Sequence, residues 1–395
     1  MKEPSRPTCS GCAASHCTAA SGVCTTSRWT GPSAASWAHS GVSTAAGGAV
    51  GGTRRGRPAG RTAGSTSNPA ASRRTSNSPQ ASSFGVPVTV VMPRFAPLIK
   101  VTNCRALGAT VILHGDDVGH ARERAAELAA ERGLAFVHPF DNADVVAGQG
   151  TMALEILEQT PDVEAIVVPV GGGGLISGIG LVAKAKKPTV EIVGVEPENA
   201  PSLAAAFARH GPVQVALSPT LADGLAVAKT GEINYPIARR VVDRLCTVDE
   251  ASIALAILRL IELEKSVVEG AGATPLAAFI AGKLPHLEGR TVVLTLCGGN
   301  IDTNMLGRVL DIGLVADGRL SRFTVSVLDR PGGLARLTSV IAATGASIHE
   351  LAHDRAFSGP NVAEVRVICV VETTGTDHVR ALHGALREAG FAIVG

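Results

Sequence analysis

No stretch of this chain stays apolar long enough to span a bilayer, and no apolar h-region follows Met1. Neither a transmembrane helix nor a secretory signal is therefore expected, and no membrane partner. The one dense glycine cluster is not a G-x-G-x-x-G, and no GK[ST] follows it, which argues against dinucleotide and P-loop chemistry. A net charge of +2 offers no electrostatic reason to bind nucleic acid. Eight cysteines are present. Cys9 and Cys12 form a C-x-x-C, but Cys17 and Cys24 stand at spacings that match no common zinc site, and no second C-x-x-C occurs. Cys104, Cys246, Cys297 and Cys369 are scattered and read as reduced thiols of an intracellular, cytoplasmic protein.

The first 83 residues lack more. They contain no Leu, Ile, Phe, Tyr or Asp. Nine Lys or Arg stand against one acid, Glu3, a net of +8 that leaves −6 for the remainder. Ser, Thr, Ala, Gly, Arg and Pro make up most of the segment. Such a stretch cannot bury enough apolar surface to offset its chain entropy, so residues 1–83 are expected to be disordered or non-native. Three origins fit the composition: a transit peptide, a basic tail that binds polyanions, or a GC-rich gene read in a shifted frame.

From Phe84 the chain is ordinary α/β. It is organised around Ala165–Gly180, AIVVPVGGGGLISGIG. A β-branched run ends in Gly171, Gly172, Gly173 and Gly174, and a helix-compatible segment follows. This predicts a strand, a turn too tight for any Cβ, and a helix start. The amides of such a turn point one way and the helix N-terminus adds partial positive charge, which suits a phosphate.

Around that centre, short strands alternate with helices. Val86–Met92, Ala109–Leu113 and Ala135–His138 read as strands, with a helix between each pair. The run His138–Thr151, HPFDNADVVAGQGT, reads as a loop leading into a helix from Met152. Glu191–Val195, Val242–Val248 and Thr291–Leu296 read as further strands, and Glu269–Gly272 opens a helix. The alternation predicts parallel sheets covered by helices. Two strands end in glycine turns, 171–174 and 298–299, and in open parallel sheets ligands bind beyond such ends. After Leu320 the order becomes βαββαβ within about 75 residues, a ferredoxin-like unit.

Taken together, the motifs resemble threonine dehydratases (L-threonine ammonia-lyases), fold-type II pyridoxal-phosphate enzymes similar in fold to the tryptophan synthase β chain. The residues that carry the resemblance are MPRFAPLIK at Met92–Lys100, HPFDNADVVAGQGT, VPVGGGGL at Val168–Leu175, ADG at Ala222–Gly224 and CGGNID at Cys297–Asp302. The C-terminal unit, with DRPGGLA at Asp329–Ala335, resembles an ACT domain, regulatory in that family. The resemblance implies three parts: 1–83 outside the family pattern, 84–318 a catalytic domain that is incomplete, and 319–395 the ACT domain. It implies pyridoxal 5'-phosphate as cofactor, with Gly171, Gly172, Gly173, Gly174 and Leu175 at its phosphate. Cys297 falls where the family places a neutral donor against the pyridine nitrogen. Outside that setting, Cys297 would read as a buried small hydrophobe. The resemblance also implies threonine, or serine, as substrate in amino-acid metabolism and isoleucine biosynthesis. A branched-chain amino acid would act as allosteric effector, and the assembly would be a homo-oligomer. Glu196 falls where related serine racemases bind a divalent cation, but the second acidic position falls on Ser202. As a lone Glu after a strand it reads as a solvated turn residue, and no metal is expected.

The family also carries a lysine, in Ser-Phe-Lys-x-Arg-Gly, that joins the cofactor covalently and then acts as base. It carries a Gly-Asn-His asparagine at the cofactor ring oxygen. Both precede the VPVTVVM strand, where this chain has residues 1–83. Lys2 is the only lysine there, and no Gly-Asn-His occurs. Lys100 belongs to a different motif and does not take the role. Because the basic segment replaces the family's N-terminal part rather than preceding it, a shifted frame is the favoured origin, and this polypeptide is expected to be inactive. The rivals are a non-catalytic effector-binding protein, and a serine dehydratase or racemase.

Overall fold

The computed structural model describes residues 86–96, 98–116, 118–355 and 363–394, together with three short strands nearer the N-terminus. Those strands are β1 (Gly22–Arg28), β2 (Ser43–Ala45) and β3 (Arg74–Thr75). The rest of 1–83, with Cys9, Cys12 and the expectation of disorder, lies outside the described residues.

Chain order then gives β4 (Val88–Met92), α1 (Leu98–Ala106), β5 (Thr110–Leu113), α2 (Val118–Arg132), β6 (Ala135–Phe136) and α3 (Ala143–Gln159). It continues through β7 (Ala165–Pro169), α4 (Gly174–Lys186), β8 (Glu191–Pro197), α5 (Ser202–Ala208), α6 (Asn234–Val241), β9 (Arg244–Val248), α7 (Glu250–Glu264), α8 (Gly270–Ile280), β10 (Thr291–Cys297) and α9 (Thr303–Ala316). The last six elements are β11 (Leu320–Leu328), α10 (Gly333–Ala343), β12 (Ser347–Asp354), β13 (Glu364–Glu372), α11 (Thr376–Glu388) and β14 (Ala392–Ile393), the expected βαββαβ order.

Three sheets result. The largest runs β2-β1-β10-β7-β8-β9, with β10, β7, β8 and β9 parallel and β1 antiparallel to β10. A smaller parallel sheet runs β5-β4-β3-β6. The third is antiparallel, β12-β13-β11-β14. Strand β7 is buried at every position, as expected of a central parallel strand with helices on both faces. One face of the large sheet packs against α7 and α8 through Val167, Val195, Ile257 and Leu276; the other packs against α4 through Ile166, Ile176, Ile179 and Ile192.

Helix α3 begins at Ala143, nine residues before the helix start read from sequence. Its cap is Asn142, whose Oδ1 accepts from the amides of Asp144 and Val145. A glycine on each helix permits close packing of α3 on α4: a Cβ on Gly150 of α3 would lie 3.1 Å from the Gly178 carbonyl oxygen, and one on Gly178 of α4 would lie 2.3 Å from that of Val146. Helices α5, α6 and α9 are not among the elements read from the sequence, although Asp302 caps the last of them.

The passage from α9 to β11 takes three residues, Asp317, Gly318 and Arg319. Charges pin it. Arg259 on α7 contacts both Glu262 (3.0 Å) and Asp317. Arg319 meets Glu262 at 2.5 Å and Asp317 at 2.9 Å.

Candidate functional site

Strand β7 delivers the chain to the glycine turn at the carboxyl end of the large sheet. Gly173, with φ of 89°, is the residue that turns the chain into α4. The carbonyl oxygens of the turn point into the protein: Gly171 O accepts from Ser202 Oγ (3.3 Å), and Gly172 O from the Gly231 amide (3.1 Å). The amides of Gly171, Gly172, Gly173, Gly174 and Leu175 find no acceptor among the described residues. Five consecutive donors at a helix N-terminus form an anion cradle.

The turn lines a cavity of about 280 Å³. Gly171 to Gly174, Leu175 and Cys297 all border it, so the six residues named from the resemblance as cofactor contacts share one cavity. Phe140, Val145, Leu225 and Val227 supply apolar wall, and Gln149 and Glu269 add polar groups. A Cβ on Gly172 would fall 2.2 Å from the Phe140 ring, so the turn and the HPFDN loop touch too closely for any side chain there. His138 holds that loop: its Nδ1 accepts from the Asp141 amide (2.9 Å), and burial pushes its pKa down, keeping the imidazole neutral.

Cys297 ends β10 and lines the same cavity as the α4 start. Burial pushes its thiol up to about 12, and the Glu269 carboxyl adds to the rise, so it stays a neutral, weak donor. Glu269, read from sequence only as a helix opening, is a member of the site. Burial holds its carboxyl above the ordinary range and Asp223 adds to this; the Asn300 amide (2.9 Å) and Lys100 oppose it. An acid directly before a Gly-Ala-Gly helix start was the available signal. Lys100 Nζ reaches Asp223 Oδ2 at 3.0 Å, linking α1 to the ADG turn; Asp223 is exposed. No lysine lines the cavity among the described residues.

The sequence reading of Glu196 as a solvated turn residue is corrected. Glu196 is fully buried, and its carboxylate accepts from the amides of Leu203 (2.7 Å) and Ala204 (2.9 Å) at the start of α5. Burial raises its pKa to about 7 against those hydrogen bonds. Among the described residues no group of three His, Cys, Asp or Glu is placed to hold a metal ion.

The cradle and the neutral donor facing the same cavity match a ligand with a phosphate at one end and a weakly basic ring at the other. The comparisons agree in kind. The family profile described as pyridoxal-phosphate dependent enzyme matches residues 15–298, a span that begins inside the basic segment. An L-threonine ammonia-lyase of Thermotoga maritima is 43% identical over 313 residues, 79% of this chain and 78% of the relative. One from Geobacter sulfurreducens is 44% identical over the same shares. Among solved structures, the processed form of threonine deaminase isoform 2 from Solanum lycopersicum superposes with a TM-score of 0.58 at 31% identity, covering 62% of this chain and 73% of that one. A maize serine racemase does so with 0.55 at 30%, covering 62% and 78%.

Proposed function

This chain belongs to the pyridoxal-phosphate dependent enzymes, and we propose that its fold is built for L-threonine ammonia-lyase chemistry, conversion of threonine to 2-oxobutanoate and ammonia, with serine as a second substrate. The observation that carries this reading is the shared cavity of the amide cradle and Cys297. The main-chain amides of Gly171 to Leu175 would hold the cofactor phosphate, and the Cys297 thiol would donate to the pyridine nitrogen without protonating it. When bound, pyridoxal phosphate supplies the electron sink for loss of the β-hydroxyl. A neutral Cys297 keeps that sink mild, which suits elimination over chemistry needing a fully protonated ring. Phe140 and Leu225 pack on the glycine turn and, with Val145, would shield the phosphate end of the cofactor from water.

Turnover also needs a covalent anchoring lysine, and none lines the described cavity. We therefore propose that this polypeptide binds cofactor without turning over threonine, and that codons 1–83 are read in a shifted frame. A Ser-Phe-Lys-x-Arg-Gly motif in another frame of that DNA would support this, and its absence from all frames would end it. The division into a catalytic part at 84–318 and a regulatory ACT part at 319–395 belongs to the same reading. So do its place in cytoplasmic amino-acid metabolism, in isoleucine biosynthesis, and its assembly as a homo-oligomer. Cys104, Cys246, Cys297 and Cys369 are free, which suits a reducing compartment.

The same missing lysine favours one second reading, a non-catalytic protein that binds a branched-chain amino acid as allosteric effector. A cavity of about 580 Å³ in the C-terminal unit is lined by Arg330, Arg336 and Glu364, charges that match an amino-acid zwitterion. Mixing the full chain with pyridoxal phosphate separates the readings. A visible band fixed to the protein by borohydride, with ammonia released from threonine, gives the active enzyme. Saturable cofactor binding without fixation gives the proposed state. No cofactor binding, with saturable isoleucine or valine binding, gives the second reading.

A further inference from the structure

Behind the amide cradle lies a residue that no motif above includes. Asn234, the first residue of α6, is fully buried. Its Nδ2 donates to two carbonyl oxygens at once, Gly172 O and Phe140 O, each at 2.9 Å. Its Oδ1 is buried and has no partner among the described residues. Around it, Asp141 accepts from the amides of Glu232 (3.0 Å) and Ile233 (2.9 Å), and Ser177 Oγ donates to the Asn234 carbonyl (3.2 Å). A Cβ on Gly173 would stand 3.1 Å from Asn234 Cβ, so this residue backs the turn directly.

The C=O and N–H of a trans peptide point to opposite edges of one plane. Holding the Gly172 carbonyl inward therefore turns the Gly173 amide outward, toward the cavity, as the Ser202 bond to Gly171 O does for the Gly172 amide. Two acceptors shared by one NH2 group also lock the glycine turn to the HPFDN loop. We infer that Asn234 is a positioning residue for the phosphate cradle: it aims the Gly173 amide at the centre of the glycine turn and ties the Phe140 backbone to the same turn, so that phosphate recognition and the seating of the HPFDN loop depend on one side chain. This rests on the proposed cofactor reading. It goes beyond that reading in naming a side chain, out of the cavity itself, on which phosphate recognition depends.

The test compares pyridoxal phosphate with pyridoxal, which lacks the phosphate, on the full chain. Asn234→Ala deletes both donors and leaves the Phe140 carbonyl without its partner. It should weaken pyridoxal phosphate by about tenfold while pyridoxal changes by less than about twofold. Ser202→Ala, which removes the longer bond to Gly171, should weaken pyridoxal phosphate by only about twofold. A merely structural role would weaken both ligands alike, and that result, or an unchanged ratio, overturns the inference. If the wild-type chain binds pyridoxal phosphate no better than pyridoxal, the cofactor reading itself falls and takes the inference with it. Should Asn234→Ala not fold, amide hydrogen exchange on the wild type decides. Pyridoxal phosphate should slow exchange at 171–175 and 230–236 together. Protection confined to 171–175 overturns the coupling.

Discussion

The two parallel sheets are unequal. The large one buries its strands on both faces: β7 has no exposed position, and its two packing layers draw on Val167, Val195, Ile166 and Ile192. The small one has a thin described core of Val88, Val90, Cys104 and Ala109, and its strand β6 is exposed at both residues. The difference follows the site. Groups that would hold the phosphate and the ring nitrogen belong to the well-packed sheet. The territory that precedes β4 contributes β1 and β2 to the large sheet and β3 to the small one. The glycine turn and Cys297 therefore stand at the ends of β7 and β10, two neighbouring strands of the better-packed sheet.

The sharpest way to break this comparison is a matched pair of truncations. Ile192→Ala, in the large sheet, should cost about 2–5 kcal/mol in denaturant unfolding. Val111→Ala, in the small sheet and only partly buried, should cost about 1 kcal/mol or less. Equal costs would show that the sheets are not unequal in stability.

Next in size is a pH effect specific to the large sheet. The Glu196 carboxyl titrates near 4.5 when unfolded and at about 7 when folded. Between these values the folded form binds more protons, so stability should fall as pH rises through that window and level off above it. The loss should be on the order of 3 kcal/mol. Glu196→Gln should flatten the slope, read from urea midpoints between pH 5 and 8. A wild-type profile that rises over this range would refute the assignment.

Gly172→Ala tests whether the phosphate half stands alone. Its methyl would collide with Phe140, and pyridoxal phosphate affinity should fall at least tenfold, about 1.4 kcal/mol. The smallest effect is expected where the two regions meet. Lys100→Ala removes the pair with Asp223, and because both side chains are solvent-accessible the cost should stay under about 1 kcal/mol. A larger cost would mean that the small sheet leans on this bridge.

Much of this was legible in the sequence because the signals are local. Four glycines after a β-branched run specify a turn and a helix start whatever surrounds them, and strand alternation with short loops specified the sheets. The C-terminal βαββαβ order was legible for the same reason. The misses have tertiary causes. Gly148 and Gly150 made 143–151 read as loop, yet Gly150 sits in a helix because α4 passes so close that a side chain would not fit. Glu196 looked like a turn residue because nothing in its neighbours in sequence reveals that α5 turns its first amides onto it. Glu269 and Asn234 stayed invisible as site residues because their partners, Asn300, Phe140 and Gly172, lie 31 to 94 residues away.

The charged joint between α9 and β11 has a mechanical corollary. A three-residue connection cross-braced by Arg259, Glu262 and Arg319 has no slack, so it passes torque where a loose tether would absorb it. Helix α9 is a shaft of about 21 Å, anchored at its other end by the Asp302 cap, five residues beyond Cys297. Between Cys297 and that cap lie Gly298, Gly299, Asn300 and Ile301, so the braced joint and the glycine link bound the helix at opposite ends.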